Sequence, residues 1–451
     1  MKGKKRKFTF IRIIKLINIL LMTYLFSIVW FKSFSWRLTD PFFYKGNYYV
    51  VFIFMLLYTI LVQIYDGLMI SYSKFSELVY SQMLSAGISL FFMYLLIILL
   101  VREYTVNPIP LIMCLIGQFF VSIIWSWLAQ NIFFKIFEKR KSAIIIGNER
   151  EVSHKLSEFY MDSKFTILKI IRIDEIIHNH EDMLEGIDTV FFIDVHSKDR
   201  NEIMKYCVQN NILCFVIPRI GDTLMMSAES MHFFHLPIFR VTKYNPKIEY
   251  LIVKRLIDII ASLLGIIILS PVMIIVAIFV KSDGGPVFYK QVRLTQNGKK
   301  FKVLKFRSMR VDAESNGKAV LSAGENDPRI TKVGRVIRAI RFDELPQLIN
   351  ILKGDMTIVG PRPERPEIAE EYYKSIPEFR LRLQCKAGLT GYAQVYGKYN
   401  TEPYDKLLMD LMYIAKPSLL EDLRIIFATV KILFVKDSTE GIDVNQDTAM
   451  K

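Results

Sequence analysis

Apolar residues gather in four long stretches near the start of the chain, at residues 8–31, 48–65, 81–101 and 109–134. Each is close to the ~20 residues a helix needs to cross a hydrocarbon core, so the pattern predicts four transmembrane helices within residues 1–137. From residue 138 the period changes. SAIIIGN (142–148), FTILKII (165–171), DTVFFID (188–194) and ILCFVIP (212–218) read as short strands, and residues 150–160 and 201–210 as helices between them. That alternation predicts a parallel, Rossmann-like sheet over residues 138–245.

A fifth apolar run, residues 256–280, carries Ser270 and Pro271 at its middle and Lys254, Arg255 and Lys281 at its ends. Proline removes a backbone donor and kinks a helix, and a neighbouring serine can satisfy the freed group. The pattern leaves two readings open, a kinked fifth spanning helix or a segment that enters the membrane and returns. Farther on, Leu345, Leu348, Ile349 and Leu352 fall at helical spacing, which predicts a helix with Asp343 at its N-cap and Glu344 in its first turn. Residues 422–435 alternate apolar positions such as Ile425, Ile426 and Ile432 with Arg424 and Lys431, fitting either an interfacial helix or a packed amphipathic one. Residues 437–451 are polar and read as a disordered tail.

Composition supports the membrane reading. Over 451 residues the chain is 52% hydrophobic, with a mean hydropathy of +0.28, too apolar for an ordinary soluble protein. The formal charge is +15, but the basic residues bracket apolar segments and do not line an aromatic-interleaved groove. They point to a membrane surface and away from nucleic acid. MKGKKRK precedes the first apolar stretch and EKRK (138–141) follows the fourth, which places both ends in the cytoplasm; Lys32, Arg37 and Lys45 in the first loop oppose that signal. No small-residue cleavage site follows the first stretch, so it does not read as a signal peptide.

Cys114, Cys207, Cys214 and Cys385 show no CxxC pairing and read as reduced core thiols. The histidines at 178, 180, 232 and 235 lack the companions of a zinc site. In the middle region only Gly147 follows the first strand, whereas a dinucleotide loop needs several glycines. Tyr160 and Lys164 have the spacing of a dehydratase or epimerase base pair, but without that loop the domain reads as a scaffold or sensor.

The densest chemistry lies in RAIRFDELPQLINILKGDMTIVGPRP, residues 338–363. A basic cluster, adjacent carboxylates and an arginine between two prolines share one short span, and arginines beside a helix start favour phosphate. A lone Asp-Glu pair would be ordinary helix capping. Here DELPQL, LKGDM and VGPRP occur in order with KRLIDI (254–259), VFYKQVR (287–293), KFRSMR (305–310), DPRITKVG (327–334), AGLTGYAQV (387–395) and DLRIIFATVKIL (422–433). Together these motifs resemble the bacterial polyprenyl-phosphate phosphosugar transferases, the large monotopic enzymes that initiate exopolysaccharide, capsule and O-antigen synthesis. The resemblance covers nearly all of residues 250–436.

That resemblance implies a membrane α plus α/β protein: four N-terminal transmembrane helices, a degenerate Rossmann-like domain, and a mixed, mainly helical monotopic catalytic domain with a re-entrant helix at 255–281 broken at Ser270 and Pro271. It implies transfer of a sugar 1-phosphate from a UDP-sugar to undecaprenyl phosphate, with release of UMP, on the cytoplasmic face of the bacterial inner membrane. By the same resemblance Asp343 carries the covalent phosphosugar and Glu344 is its partner acid or base, although neighbours on a helix point ~100° apart. Lys305, Arg338 and Arg362 match phosphate-binding positions, and Asp422 matches a functional acid. One departure is Lys398, where many relatives carry arginine; lysine keeps the charge and loses the planar fork. Magnesium is expected with a nucleotide diphosphate donor, held by phosphates, water and Asp343. The resemblance also admits a homodimer. The rival reading is a catalytically inactive membrane scaffold of a polysaccharide assembly complex, against which the intact Asp-Glu pair and its basic ring argue. Polytopic sugar-phosphate transferases need more spanning helices than this chain provides.

Overall fold

The structure is a computed structural model that describes all residues except 1, 39–44, 72, 103–105, 138, 148–164, 178, 312, 314–326, 328, 398–400 and 433–451. The helix expected at 150–160, the Tyr160 and Lys164 pair, Lys398 and the polar tail therefore lie outside the described residues. The chain divides into two compact units, Met1–Ile217 and Pro218–Lys451.

The first unit opens with helices α1 (Lys2–Val29), α2 (Gly46–Ile64), α3 (Phe75–Val101) and α4 (Ile109–Ile136). Each belongs to a segment long and apolar enough to cross a membrane. Their contacts are not only apolar. Gln82 of α3 accepts from Asn18 of α1 (3.0 Å) and Ser122 of α4 (2.8 Å) and donates to the Gly67 carbonyl (2.9 Å). Tyr58 of α2 donates to Asn18 (2.9 Å). One neutral knot so ties all four helices, and its partners satisfy one another where water is absent.

After α4 the unit forms a parallel sheet of β1 (Arg140–Ile146), β2 (Phe165–Arg172), β3 (Thr189–Ile193) and β4 (Leu213–Val216), in the order β2-β1-β3-β4. Helix α5 (Ser197–Gln209) buries Ile203 and Cys207 against it. Central β3 is buried at every position, as expected of a strand covered on both faces. Gly147 serves packing here: a Cβ on it would run into the backbone carbonyl of Asp194. All four cysteines are free.

The second unit begins with an antiparallel hairpin, β5 (Glu229–Phe233) and β6 (Leu236–Arg240), and residues 218–245 fall within this unit. Then comes α6 (Ile248–Ser282), a fifth helix long and apolar enough to cross a membrane. Pro271, where the break is expected, lies inside α6 with helix on both sides of it. The reason is local. Proline at 271 deprives the Ile267 carbonyl of its usual amide donor, and the Ser270 hydroxyl donates to that carbonyl at 2.8 Å. Asp258, Ser262, Val276 and Val280 mark the buried face of α6, while Leu263, Ile267, Ile268, Ile274, Ile275 and Ile278 stand exposed.

Around α6 stand the antiparallel pair β7 (Phe288–Leu294) and β8 (Lys300–Phe306), α7 (Lys332–Ala339), α8 (Gln347–Lys353), β9 (Thr357–Val359), α9 (Pro366–Ser375), β10 (Gly388–Thr390), α10 (Pro403–Ala415) and α11 (Leu419–Ile432). Parallel β9 and β10 pair side by side. Helix α11 packs inward through Ile425 and Ala428, so one face of the amphipathic stretch belongs to the core.

Candidate active site

The polar residues of KRLIDI fasten α6 to its surroundings. Lys254 pairs with Asp422 at 2.8 Å and donates to the Val359 carbonyl at 3.0 Å. Arg255 donates to the carbonyls of Ile351 (2.7 Å) and Leu352 (2.8 Å), taking up groups that the C-terminus of α8 leaves orphaned. Asp258 accepts from the Thr357 hydroxyl (2.8 Å) and the Ile358 amide (2.9 Å) of β9. These three charged positions thus fix where β9 and the following VGPRP loop emerge.

Asp343 and Glu344 sit one step upstream of the place their pattern predicts. Arg341 adopts a left-handed conformation (φ 54°) after α7, and a 3-10 turn over Phe342–Glu344 follows. Helix α8 starts only at Gln347, behind Pro346, so Asp343 is inside a tight turn and does not cap the helix. Phe342 and Leu345 pack into the cluster of Val276, Val280, Phe306 and Ile337. Anchored on both sides, the turn directs the carboxylates between them toward the basic residues. The fully buried positions of α8 are Gln347, Asn350 and Ile351, not the predicted leucines.

Asn350 explains that shift. Its side-chain oxygen accepts from the Leu304 amide (2.9 Å), and its nitrogen donates to the Lys302 carbonyl (2.9 Å). The side chain completes the hydrogen bonding of β8 as a neighbouring strand would. Lys305, next on that strand, then reaches Glu344 at 2.7 Å. Arg362 binds the same Glu344 oxygen at 2.9 Å.

The loop carrying Arg362 is itself pinned. Arg382 donates to the Arg362 carbonyl (2.9 Å) and Arg293 to the Pro363 carbonyl (3.1 Å). Arg382 is buried and ion-paired with Asp410 (2.6 Å) and Glu364 (3.5 Å). Gly360 and Gly391 approach so closely that a Cβ on Gly391 would overlap the Gly360 carbonyl oxygen, which accounts for glycine in both VGPRP and AGLTG.

The two carboxylates differ electrostatically. Burial pushes Glu344 upward, but Arg362 and Lys305 outweigh it and hold its carboxyl well below the usual range. Asp343 moves the other way. It is buried, and no hydrogen bond reaches its carboxylate among the described residues. Burial raises its pKa, the Glu344 charge adds to the rise, and Lys305, Arg338 and Arg362 offset it only in part. The nearby cations therefore do not, on balance, lower the pKa of Asp343; that effect falls on Glu344, which holds Lys305 and Arg362 directly.

Lys305, Glu344 and Arg362 are in direct contact, and Arg338, in the last turn of α7, acts on Asp343 through its charge. Asp422 belongs to another network. Its carboxylate binds Lys254, Tyr250 (2.9 Å) and Tyr413 (2.7 Å) at the junction of α6, α10 and α11. Asn350, Arg382, Asp410, Glu364 and Arg293 are positioning residues that the sequence reading passed over. For Arg382 and Asp410 the signal was faint: charged residues within otherwise apolar, helix-spaced segments. Asn350 gave none beyond a polar residue among leucines. Among the described residues no group of three or more His, Cys, Asp or Glu is placed to hold a metal ion.

A buried acidic pair gripped by lysine and arginine, on a unit that carries a long apolar helix, is an arrangement for phosphate-bearing ligands near lipid. Residues 249–436 match the family described as bacterial sugar transferase. The chain is 37% identical over 199 residues to a UDP-glucose:undecaprenyl-phosphate glucose-1-phosphate transferase of Caulobacter vibrioides, covering 43% of this chain and 74% of that protein. It is 40% identical over 202 residues to the exopolysaccharide production protein PSS of Rhizobium leguminosarum bv. phaseoli, covering 42% of this chain and 98% of that protein. It is also 36% identical over 247 residues to the galactosyl transferase CpsE of Streptococcus agalactiae, covering 52% of this chain and 53% of that protein. The chain belongs to the bacterial sugar transferase family. In several of these matches it spans about half the length of the relative or less.

Proposed function

We propose that the chain moves a sugar 1-phosphate from a UDP-sugar to undecaprenyl phosphate and releases UMP, the first membrane step of exopolysaccharide or capsule assembly. The observation that carries this reading is the Asp343 carboxylate, buried, with no hydrogen bond among the described residues, and balanced by Lys305, Arg338 and Arg362. An unengaged carboxylate within a ring of cations is available to attack phosphorus. In the first half-reaction an Asp343 oxygen bonds to the phosphorus that bears the sugar, the bond from that phosphorus to UMP breaks, and its electron pair leaves on UMP. In the second, an anionic oxygen of undecaprenyl phosphate attacks the same phosphorus and the Asp343 carboxylate is restored.

Glu344 keeps its charge and orients Lys305 and Arg362 toward the donor phosphates. The acceptor phosphate is already anionic, so this half-reaction requires no general base. Lys398 remains a proposed phosphate contact. Magnesium fits the carboxylate left open on Asp343, because this ion needs only one or two protein carboxylates beside phosphates and water. Bound there, it would neutralise the donor diphosphate.

Helix α6 is proposed to enter one leaflet and return, so that the catalytic unit stays on the cytoplasmic face of the inner membrane. Its two ends support this reading: Lys254, Arg255 and Asp258 at one end, and Val276 and Val280 at the other, are all held by the same unit. Cysteines placed at Glu249 and at Lys281 should both label from the cytoplasmic side; labelling from opposite sides refutes it.

The test of the chemistry is UMP release by purified protein given donor alone. One equivalent per active enzyme is expected, with the phosphosugar covalently on Asp343. A normal rate in Asp343→Asn, with no label on the protein, overturns the two-step route. UMP production of any kind excludes the inactive scaffold.

A further inference from the structure

Outside the dyad, Arg307 stands out among the described residues of this unit because two nitrogens of its guanidinium are buried without a hydrogen-bond partner. Arg307 follows β8, is 6% exposed, and donates from Nη2 to the Val280 carbonyl at 2.9 Å. Its Nε and Nη1 are buried with no partner. A guanidinium has five donors and no acceptor, so two unmet nitrogens in a buried position call for an anion. Arg307 lines a cavity of about 490 Å³ together with Arg310, Lys332, Thr331, Ile330 and the carboxylate-bearing Asp283. Among the described lining residues, three cations stand against one carboxylate. Gly285, at φ 84°, makes room for the guanidinium: a Cβ there would collide with Nη1.

Position separates this cavity from the phosphate that reacts. Lys332, the first residue of α7, lines it, whereas Arg338 in the last turn of the same helix faces Asp343. Lys332 and Arg338 lie six residues apart, a rise of ~9 Å along α7, so the Lys332 end of the cavity stands away from Asp343. The cavity instead adjoins the C-terminal end of α6. Asp283 caps that helix, and Ile274, Ile275, Ile278 and Phe279 stand exposed in the two turns before it. An apolar face followed at once by a positive pocket fits acyl chains followed by a phosphate.

The geometry points to a binding site for the phosphodiester headgroup of an anionic membrane lipid, held by Arg307 with Arg310 and Lys332 at the rim. This inference rests on the proposed placement of α6 in lipid. The lipid clamps the returning end of α6 against α7 and β8, and so holds the helix that carries Arg338. A soluble phosphate offers the same oxygen chemistry without the chains, and the test separates the two.

The full-length protein is compared in nanodiscs of phosphatidylcholine with and without phosphatidylglycerol, with retained lipids read by native mass spectrometry. At least tenfold preference for phosphatidylglycerol is expected, abolished in Arg307→Gln. In the exposed rim variant Arg310→Gln/Lys332→Gln, which leaves the buried core intact, the preference should fall at least severalfold. Unchanged preference in both variants overturns the site. If inorganic phosphate raises the unfolding midpoint in an Arg307-dependent way while phosphatidylglycerol does no more than phosphatidylcholine, the lipid headgroup is overturned in favour of a soluble anion. A tryptophan at position 278 (Ile278→Trp), quenched by brominated acyl chains, reports the membrane placement of α6 separately. Quenching without headgroup preference sinks the site alone; absence of quenching sinks the placement of α6.

Discussion

The parallel sheet and the catalytic unit fill their interiors by opposite means. Strand β3 is buried at all five positions, from Thr189 to Ile193, and carries no ionisable residue. The catalytic unit instead buries Asp258, Asp327, Asp343, Arg382, Asp410 and Asp422. Apolar burial is tolerant of small changes and does not fix a loop to the fraction of an ångström. Buried ion pairs are costly to desolvate and unforgiving when one partner is lost, but they set geometry. The sheet can therefore be repacked cheaply, whereas the catalytic unit pays for its precision in sensitivity to substitution.

The most severe way to probe that contrast is Asp343→Asn. Donor-dependent UMP release should fall by at least about 10⁴-fold, the scale of losing a nucleophile, with the unfolding midpoint little changed. Next is Asp410→Asn, which leaves the buried Arg382 charge with only the longer ion pair to Glu364. A loss of about 3–5 kcal/mol is expected in denaturant titrations, and the Arg362 loop should loosen with it. Lys305→Met removes one of two cations on Glu344 and should slow single-turnover UMP release on the order of 100-fold, mostly in rate and not in donor affinity.

A smaller effect is expected with pH. Asp343 must be ionised to attack, and its pKa is raised by burial. The acid limb of single-turnover UMP release should lie above the usual aspartate range of about 3.9, rate increasing as pH rises through it. Glu344 has the opposite sign. Its depressed pKa stabilises the fold above the ordinary glutamate value, and that stability is lost as pH falls through the folded value. A limb at or below the ordinary aspartate value would refute the assignment of roles. The mildest change, Ile145→Val in β1, should cost about 0.5–1.5 kcal/mol and leave UMP release intact. A loss of turnover there would end the contrast between the two regions.

The sequence made some of this legible because the relevant physics is local. Four apolar stretches became α1 to α4 with small shifts at their ends, and the strand pattern of residues 142–218 survives as β1 to β4. Lys305, Glu344 and Arg362, which three separate motifs carry, meet in the structure. What the sequence hid depends on tertiary contact. The cap predicted at Asp343 gives way to a tight turn because Phe342 and Leu345 are drawn into a core whose other members lie 36 to 69 residues upstream or within α7. The division of acidity between Asp343 and Glu344 follows from which carboxylate touches the cations, and adjacent residues cannot be told apart that way on paper. Ser270 carried its signal openly: its hydroxyl takes up the Ile267 carbonyl that Pro271 leaves without an amide donor, as a serine beside a proline can.

Asn350 has a consequence for how the centre comes into being. Because its amide stands in for a strand beside β8, the strand that carries Lys305 is tied to α8, and α8 follows directly on the turn bearing Asp343 and Glu344. Cation and carboxylates are therefore assembled in one cooperative event and lost in one. Partial opening of this region should yield protein that is inert, with no half-built centre able to capture donor and hydrolyse it.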